Sequence, residues 1–252
     1  MRSLRDACKI AATVLEEMCG VAEEGMTTYD LDQFGRSRIE ALGATSACYQ
    51  FRSRDRVFPS HTCISVNEEV VHGIGTLNRR LRSGDNVSID VSVVYQGFIG
   101  DNARTIVIGE TESEMNRLLS VTREALEVGI AKARHGNRVG EISHAIQALV
   151  EKAGFSVVRD FVGHGVGRTM HEPPQIPNFG PRRSGPKLRE GMALAIEPMV
   201  NMGSREVEIL SDGWTAVTRD RKPAAHFEQT VLVGRNEAEV LTVPMVECLE
   251  KR

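Results

Sequence analysis

The sequence predicts an α+β fold, an antiparallel sheet with helices on one side, arranged as two similar halves. Three observations predict it. Apolar residues recur at helical spacing in 2–41 and again in 111–153, and each helical stretch gives way to short, β-branched runs. Helices and strands also come in blocks rather than as alternating βαβ units, so a parallel sheet is not expected. No low-complexity linker interrupts the 252 residues, which reads as a single domain with halves at about 1–110 and 111–252. A hydrophobic content of 41% supplies a sizeable core.

Leu4, Ala7, Cys8, Ala11, Val14, Leu15, Met18 and Ala22 place a first helix over 2–23, which Gly25 ends. Thr27 or Thr28 caps a second helix through about Ala41, with Gly43 as its stop. From Cys63 to Ile108 the runs CISV, NVSIDVSVVY, GFIGD and ARTIVIG read as strands. Thr111 to Glu114 has the form of a capping box, predicting a helix to about His135 that Gly136 stops. A further helix follows from about Val139 to Ala153. Strands return as FSVVRDFVG, MALAIEPMV, VEIL, WTAVT and HFEQTVLVG, while Glu172 to Lys187, rich in Pro, Gly and Arg, reads as a loop.

Acids outnumber bases 34 to 31, and the formal charge of −3 offers no footprint for a phosphate backbone or an anionic membrane. Lys9, Glu16 and Glu17 break the N-terminal helix as an export signal. Nowhere do ~18 uninterrupted apolar residues occur, so no membrane span is expected. Cys8, Cys19, Cys48, Cys63 and Cys248 are odd in number and lack a C-x-x-C pair, which suits reduced, buried thiols in the cytoplasm.

The chemistry concentrates in acidic residues set within apolar strands. Asp90 lies inside VSIDVSVVY and Asp101 inside GFIGDNA, with Gln96-Gly97 as the turn between them. A two-residue turn pairs Ser92 with Asp101 and makes Asp90 a same-face diagonal neighbour at roughly 7–8 Å. A four-residue loop sets the two acids directly opposite, whereas a three-residue loop points them apart. Like charges sharing a face repel unless a cation lies between them. The bland alternative, both facing water, conflicts with a strand apolar enough to be buried on at least one face.

His164 follows, flanked by glycines in VGHGVGR, and two more acids sit in apolar strands: Glu197 in LAIEPMV and Glu228 in HFEQTVLV. Buried glutamates need partners. Four carboxylates balance two divalent ions, and oxygen donors with one imidazole suit Mn, Fe or Co better than a closed Cys/His zinc site. A pair of ions in such a setting activates water and polarises a carbonyl, which points to peptide or ester hydrolysis.

Over nearly its full length the chain resembles the type I methionine aminopeptidases, metallopeptidases of the pita-bread fold. The segments that carry the likeness are CISVNEEVVHGI (63–74), VSIDVSVVYQGFIGDNART (87–105), GFSVVRDFVGHGVGRTMHEPPQI (154–176), GMALAIEPMVN (191–201), SDGWTAVTRD (211–220) and HFEQT (226–230). The resemblance implies removal of N-terminal methionine from nascent peptides and proteins with a small second residue. It implies two divalent ions (Co, Mn or Fe) on Asp90, Asp101, His164, Glu197 and Glu228, with Asp101 and Glu228 bridging. Glu197 then shuttles the proton, His171 stabilises the oxyanion, and His72 contacts the peptide bond or the following residue. Phe58, Cys63, Met170 and Trp214 match the methionine pocket, joined by Cys48 or Tyr49. The expected partners are peptide and nascent-protein N-termini, with the ribosome near the basic run Arg182, Arg183, Lys187 and Arg189; neither membrane nor specific nucleic acid is expected, and the chain is read as a cytoplasmic monomer.

Some positions depart from the family pattern. CYQFRSRDRVFPSH carries about four extra residues, Gly75 stands where proline is usual, and His226 and Gln229 replace glutamine and histidine around Glu228. Two other readings share the fold. One is an X-Pro aminopeptidase or prolidase-like peptidase, which carries a large extra N-terminal domain; the other is a non-catalytic pita-bread binding protein, which has lost ligands.

Overall fold

The strand Asn86–Tyr95 turns at Gln96 and Gly97, with φ of 49° and 75°, and returns as Phe98–Val107 in unbroken antiparallel register. Positive φ at both turn residues matches the right-handed twist of the flanking strands. The two-residue alternative therefore holds: Tyr95 pairs with Phe98, Ser92 with Asp101, and Asp90 with Ala103. GFIGD and ARTIVIG, expected as separate runs, form one ten-residue strand. In this computed structural model residues 1–53 and 55–245 are described; Cys248 lies outside them.

Around this hairpin runs a nine-stranded antiparallel sheet. Its order is Thr45–Ser46, Asn86–Tyr95, Phe98–Val107, Glu228–Leu232, Ala193–Ile196, Gly163–Gly165 and Glu172–Ile176; Cys63–Val66 also pairs with Asn86–Tyr95, and Glu239–Val240 with Glu228–Leu232. Both halves of the chain contribute. The segment Glu172–Ile176, read as loop, is a strand because its backbone pairs with Gly163–Gly165, a tertiary contact that a Pro-rich local pattern conceals.

Helices cover one face. Helix α1 (Arg2–Val21) packs on the hairpin, and with α2 (Thr28–Ala41) it encloses Val87, Ile89, Val91 and Val93. Thr27 is the cap of α2: its hydroxyl accepts from Asp30 N at 3.0 Å, and the Asp30 carboxylate accepts in return from Thr27 N. Helices α3 (Ser113–Ile130) and α4 (Val139–Lys152) cover Leu194, Ile196, Val231 and Val233 in the second half. The expected capping box at Thr111 does not form, since the cap residue is Glu112, without a side-chain bond. Helix α3 also stops at Ile130 rather than near His135, because Arg134 bridges Gly234 and His135 N bonds Gly234 O. Among the described residues no helix is long and apolar enough to cross a membrane.

Alternation sends the other side chains to the face away from the helices. Asp90, Ala103 and Glu228 form one row across three strands; Ser92 and Asp101 pair in the next row, and Ala195 pairs with both Thr230 and His164. Ala103 stands between Asp90 and Glu228 in its row. Ala103→Leu adds bulk between the two acids and is expected to weaken Mn²⁺ binding by about tenfold or more, the scale of outer-sphere perturbations. Titration calorimetry measures it, with metal-free Tm as a check on folding; unchanged affinity in a folded variant contradicts this row.

Candidate metal centre

The five acid and imidazole ligands expected from the sequence meet in one cavity of about 320 Å³ on the uncovered sheet face. His72, His171, Phe58, Cys63, Met170 and Trp214 line the same cavity, as does Cys48. Tyr49 does not; its ring is exposed and stacks on His61 at 4.2 Å.

The donors point at one another without closing ordinary hydrogen bonds. His164 Nδ1 lies 3.0 Å from Gly165 O, and because a carbonyl can only accept, that nitrogen carries the proton. In the neutral ring Nε2 then holds the lone pair, 3.4 Å from Glu197 Oε1 and 3.8 Å from Asp101 Oδ2. Donor atoms of Asp101, His164 and Glu228 all lie within 4.8 Å of one another. Asp101 is oriented by Ser92 Oγ, which donates to Oδ1 at 2.6 Å, while Thr230 Oγ1 binds its carbonyl. Asp90 Oδ1 and Glu228 Oε1 are buried with no partner. The glycines beside His164 admit neighbouring strands: a Cβ on Gly163 would sit 2.5 Å from Ala195 O, and one on Gly165 would strike Pro173 O. They serve sheet packing around the imidazole rather than the imidazole itself.

Electrostatics say the same. Burial is the main cause that pushes the Asp90 and Glu228 carboxyls well above the usual range, with Asp101 adding repulsion to each. Burial likewise raises Glu197 to about 8, against attraction from His164. Burial lowers His72 and His226 to about 4 and moves His171 downward, so all three imidazoles are neutral near pH 7. Carboxylates short of partners beside a lone-pair nitrogen are a donor set that fits a divalent cation.

Some residues of the site were not foreseen. His226 enters the cavity with Nε2 buried, unpartnered and 3.5 Å from Glu197 Oε2. Its position two residues before Glu228 was the available signal, since strand alternation puts i and i+2 on one face. Phe51 packs edge-on to His171 at 5.8 Å, and Phe161 to His72 at 5.3 Å. No periodicity marks either, because both lie outside strands. The run FSVVRDFVG leaves its ladder after Val157, which lets Phe161 and Val162 reach the cavity.

A pH dependence follows for the metal-free protein. Raised carboxyl values mean that the folded chain keeps protons the unfolded chain has released, so this stability is present at low pH and is lost as pH rises through the folded values. The lowered histidines act in the opposite sense, but only below their ordinary value of 6.5. Between pH 6.5 and about 8 the carboxyls therefore govern. Scanning calorimetry in chelator should show Tm falling by several degrees across that window, and Mn²⁺ should raise Tm more at the upper end; a metal-free Tm that climbs with pH contradicts the assignment.

Residues 2–235 match the sequence model of metallopeptidase family M24. The chain is 44% identical to the methionine aminopeptidase of Clostridium acetobutylicum over 240 residues, covering 95% of this chain and 94% of that protein. It is 45% identical to methionine aminopeptidase 1 of Bacillus subtilis, with the same coverage of 95% and 94%. Among solved structures, the methionine aminopeptidase of Thermotoga maritima superposes with a TM-score of 0.91 at 45% identity, covering 96% of this chain and 95% of that one. The prolidase of Pyrococcus furiosus shares the pita-bread fold at a TM-score of 0.76 and 22% identity, but this chain covers only 63% of it. A match of this extent, over the segments that carry the buried acids, means that the chain belongs to metallopeptidase family M24 and to its type I methionine aminopeptidases.

Proposed function

We propose that this chain removes the N-terminal methionine from peptides and nascent proteins whose second residue is small. The observation that carries the reading is the convergence of four carboxylates, those of Asp101 and Glu228 buried, with His164 Nε2 in one cavity that also has an apolar, aromatic wall. Two divalent ions, Mn, Fe or Co, would be held there by Asp90, Asp101, His164, Glu197 and Glu228. The oxygen-rich donor set with a single imidazole supports that choice of metals. When bound, such a pair supplies Lewis-acid polarisation and makes water acidic enough to react near neutral pH.

The remaining work falls to the chain itself. Glu197 takes a proton from the attacking water at a carboxylate oxygen and delivers it to the leaving amine. His171, neutral and held between Phe51 and His164, donates to the carbonyl oxygen as negative charge develops there. His72, backed by Phe161, contacts the peptide bond or the residue after it, and a steric limit there admits only small second residues. Phe58, Cys63, Met170 and Trp214, with Cys48 and Phe51, receive the methionine side chain, whose thioether suits aromatic walls.

The halves at about 1–110 and 111–252 act as one catalytic domain, a reading supported by a sheet that draws strands from both. The chain works as a cytoplasmic monomer. It meets the ribosome through the loop bearing Arg182, Arg183, Lys187 and Arg189, all of them exposed.

Metal-loaded protein given Met-Ala-Ser, Leu-Ala-Ser and Pro-Ala-Ser should release methionine and essentially nothing else, read by amino-acid analysis. Cleavage of the leucine or proline peptide in preference to the methionine one rejects the reading. Glu197→Gln should lower kcat by about 10²–10⁴-fold, the range for lost general acid–base catalysis. A variant with wild-type turnover would transfer the proton role elsewhere.

A further inference from the structure

The hairpin at the mouth of the cavity contains a contact that the reaction described above does not use. Arg52–Ser53 pairs with Arg56–Val57, and below that pair Phe58 N bonds Phe51 O at 2.9 Å, so the two phenylalanines sit at the hairpin's base. Their rings meet Trp214 edge-on, Phe58 at 5.3 Å and Phe51 at 6.5 Å. From the hairpin's other end Arg56 reaches across to the turn that carries Trp214, where Nη1 donates to Gly213 O at 2.7 Å. The guanidinium occupies the space a side chain at Gly213 would need: a Cβ there would lie 2.5 Å from Cζ and 2.6 Å from Nε.

The far side of the contact is rigid. Asp212 Oδ1 accepts from Trp214 N at 2.7 Å and from Thr215 N at 2.9 Å, while Oδ2 takes the Thr215 hydroxyl at 2.6 Å. Gly213 N closes the turn on Leu210 O at 2.9 Å. Trp214 is thus tied through two backbone positions to a turn in the second half of the chain, and Arg56 ties that turn to the hairpin of the first half. One guanidinium spans the two walls of the apolar pocket.

We propose that Arg56 is a specificity-determining latch: by fixing the 210–215 turn to the 50–58 hairpin it sets the distance between Trp214 and the phenylalanines, and so the width of the slot for the substrate's first side chain. The latch rests on the aminopeptidase reading for what fills the slot, a slender unbranched thioether, but not for its own existence. With the latch intact, γ-branched leucine meets a closed wall; without it, the wall yields, and the slot holds methionine less firmly while excluding leucine less strictly. Discrimination by a shaped apolar slot is worth roughly 10–200-fold per small steric difference, so its loss is measurable.

Trp214 is the sole tryptophan in the chain, which makes its fluorescence a reporter of the latch that needs no substrate. Mn²⁺-loaded wild type, Arg56→Ala and Arg56→Lys would be compared by emission maximum, acrylamide quenching, Tm, and kcat and KM on Met-Ala-Ser and Leu-Ala-Ser. Arg56→Ala should shift Trp214 emission to the red, at least double its quenching constant and raise KM for Met-Ala-Ser several-fold with kcat little changed. The Met-to-Leu ratio of kcat/KM should fall about tenfold. Arg56→Lys, which can still reach Gly213 O, should recover much of the ratio. An Arg56→Ala protein with wild-type emission, quenching and Met-to-Leu ratio overturns the proposal, as does a lost ratio that accompanies a general fall in Tm and kcat. If wild type cleaves neither peptide yet Arg56→Ala still loosens Trp214, the aminopeptidase reading falls and the latch stands.

Discussion

Mutual repulsion among buried carboxylates is the constraint that organises this molecule. Asp90 and Glu228 are displaced far from their ordinary ionisation, and Glu197 to about 8, chiefly by loss of water; the field of Asp101 adds to each shift, and at Glu197 His164 opposes it. An isolated charge of this kind is costly to bury, and several of one sign compound the cost. A fold that nevertheless places them side by side, with oxygens of Asp90 and Glu228 left without hydrogen bonds, is adapted to a counter-charge from outside the chain. Protons can occupy that role in acid; divalent cations occupy it at neutral pH.

The sheet meets this constraint by simple periodicity. One face of the hairpin is Val87, Ile89, Val91 and Val93, sealed by α1 and α2; the other carries Ser88, Asp90 and Ser92. The same division recurs in the second half, where Leu194 and Ile196 face α3 and α4 while Ala195 pairs with His164. The helices therefore do more than stabilise. By covering one face they keep the register from slipping by a residue, which would turn the acids into the apolar core.

Much of this was legible in the sequence because it depends on that period of two. Asp90 and Asp101 could be set on one face from Gln96-Gly97 and alternation, Glu197 and Glu228 stood out as acids amid apolar residues, and His164 was marked by its flanking glycines. What stayed hidden was fixed by contacts distant in the chain. Helix α3 ends early because the residues after it pair with Gly234, and the Pro-rich stretch at Glu172 becomes a strand because Gly163–Gly165 lies beside it. His226 was noticed as a substitution, but its bearing on Glu197 depends on where two separate strands bring their ends together. Phe51 and Phe161 lie in irregular segments, for which no periodic signal exists.

The centre and the pocket beside it are built from different materials, and this difference has a consequence. The acids and His164 stand on or at the ends of paired strands, so their spacing is set by the backbone of the sheet and barely depends on neighbouring side chains. The apolar wall is carried by the hairpin at 50–58, the segment at 170 and the turn at 214, whose relative position depends on ring contacts and a few hydrogen bonds. Surface loops accept insertions at little thermodynamic cost, whereas a sheet register does not. The described residues of the 48–61 segment that line the cavity, Cys48, Phe51, Ser53 and Phe58, belong to the side away from the rows that carry charge. Chemistry and selectivity in this fold can therefore change separately, the first held by strand pairing and the second by the loops that close over it.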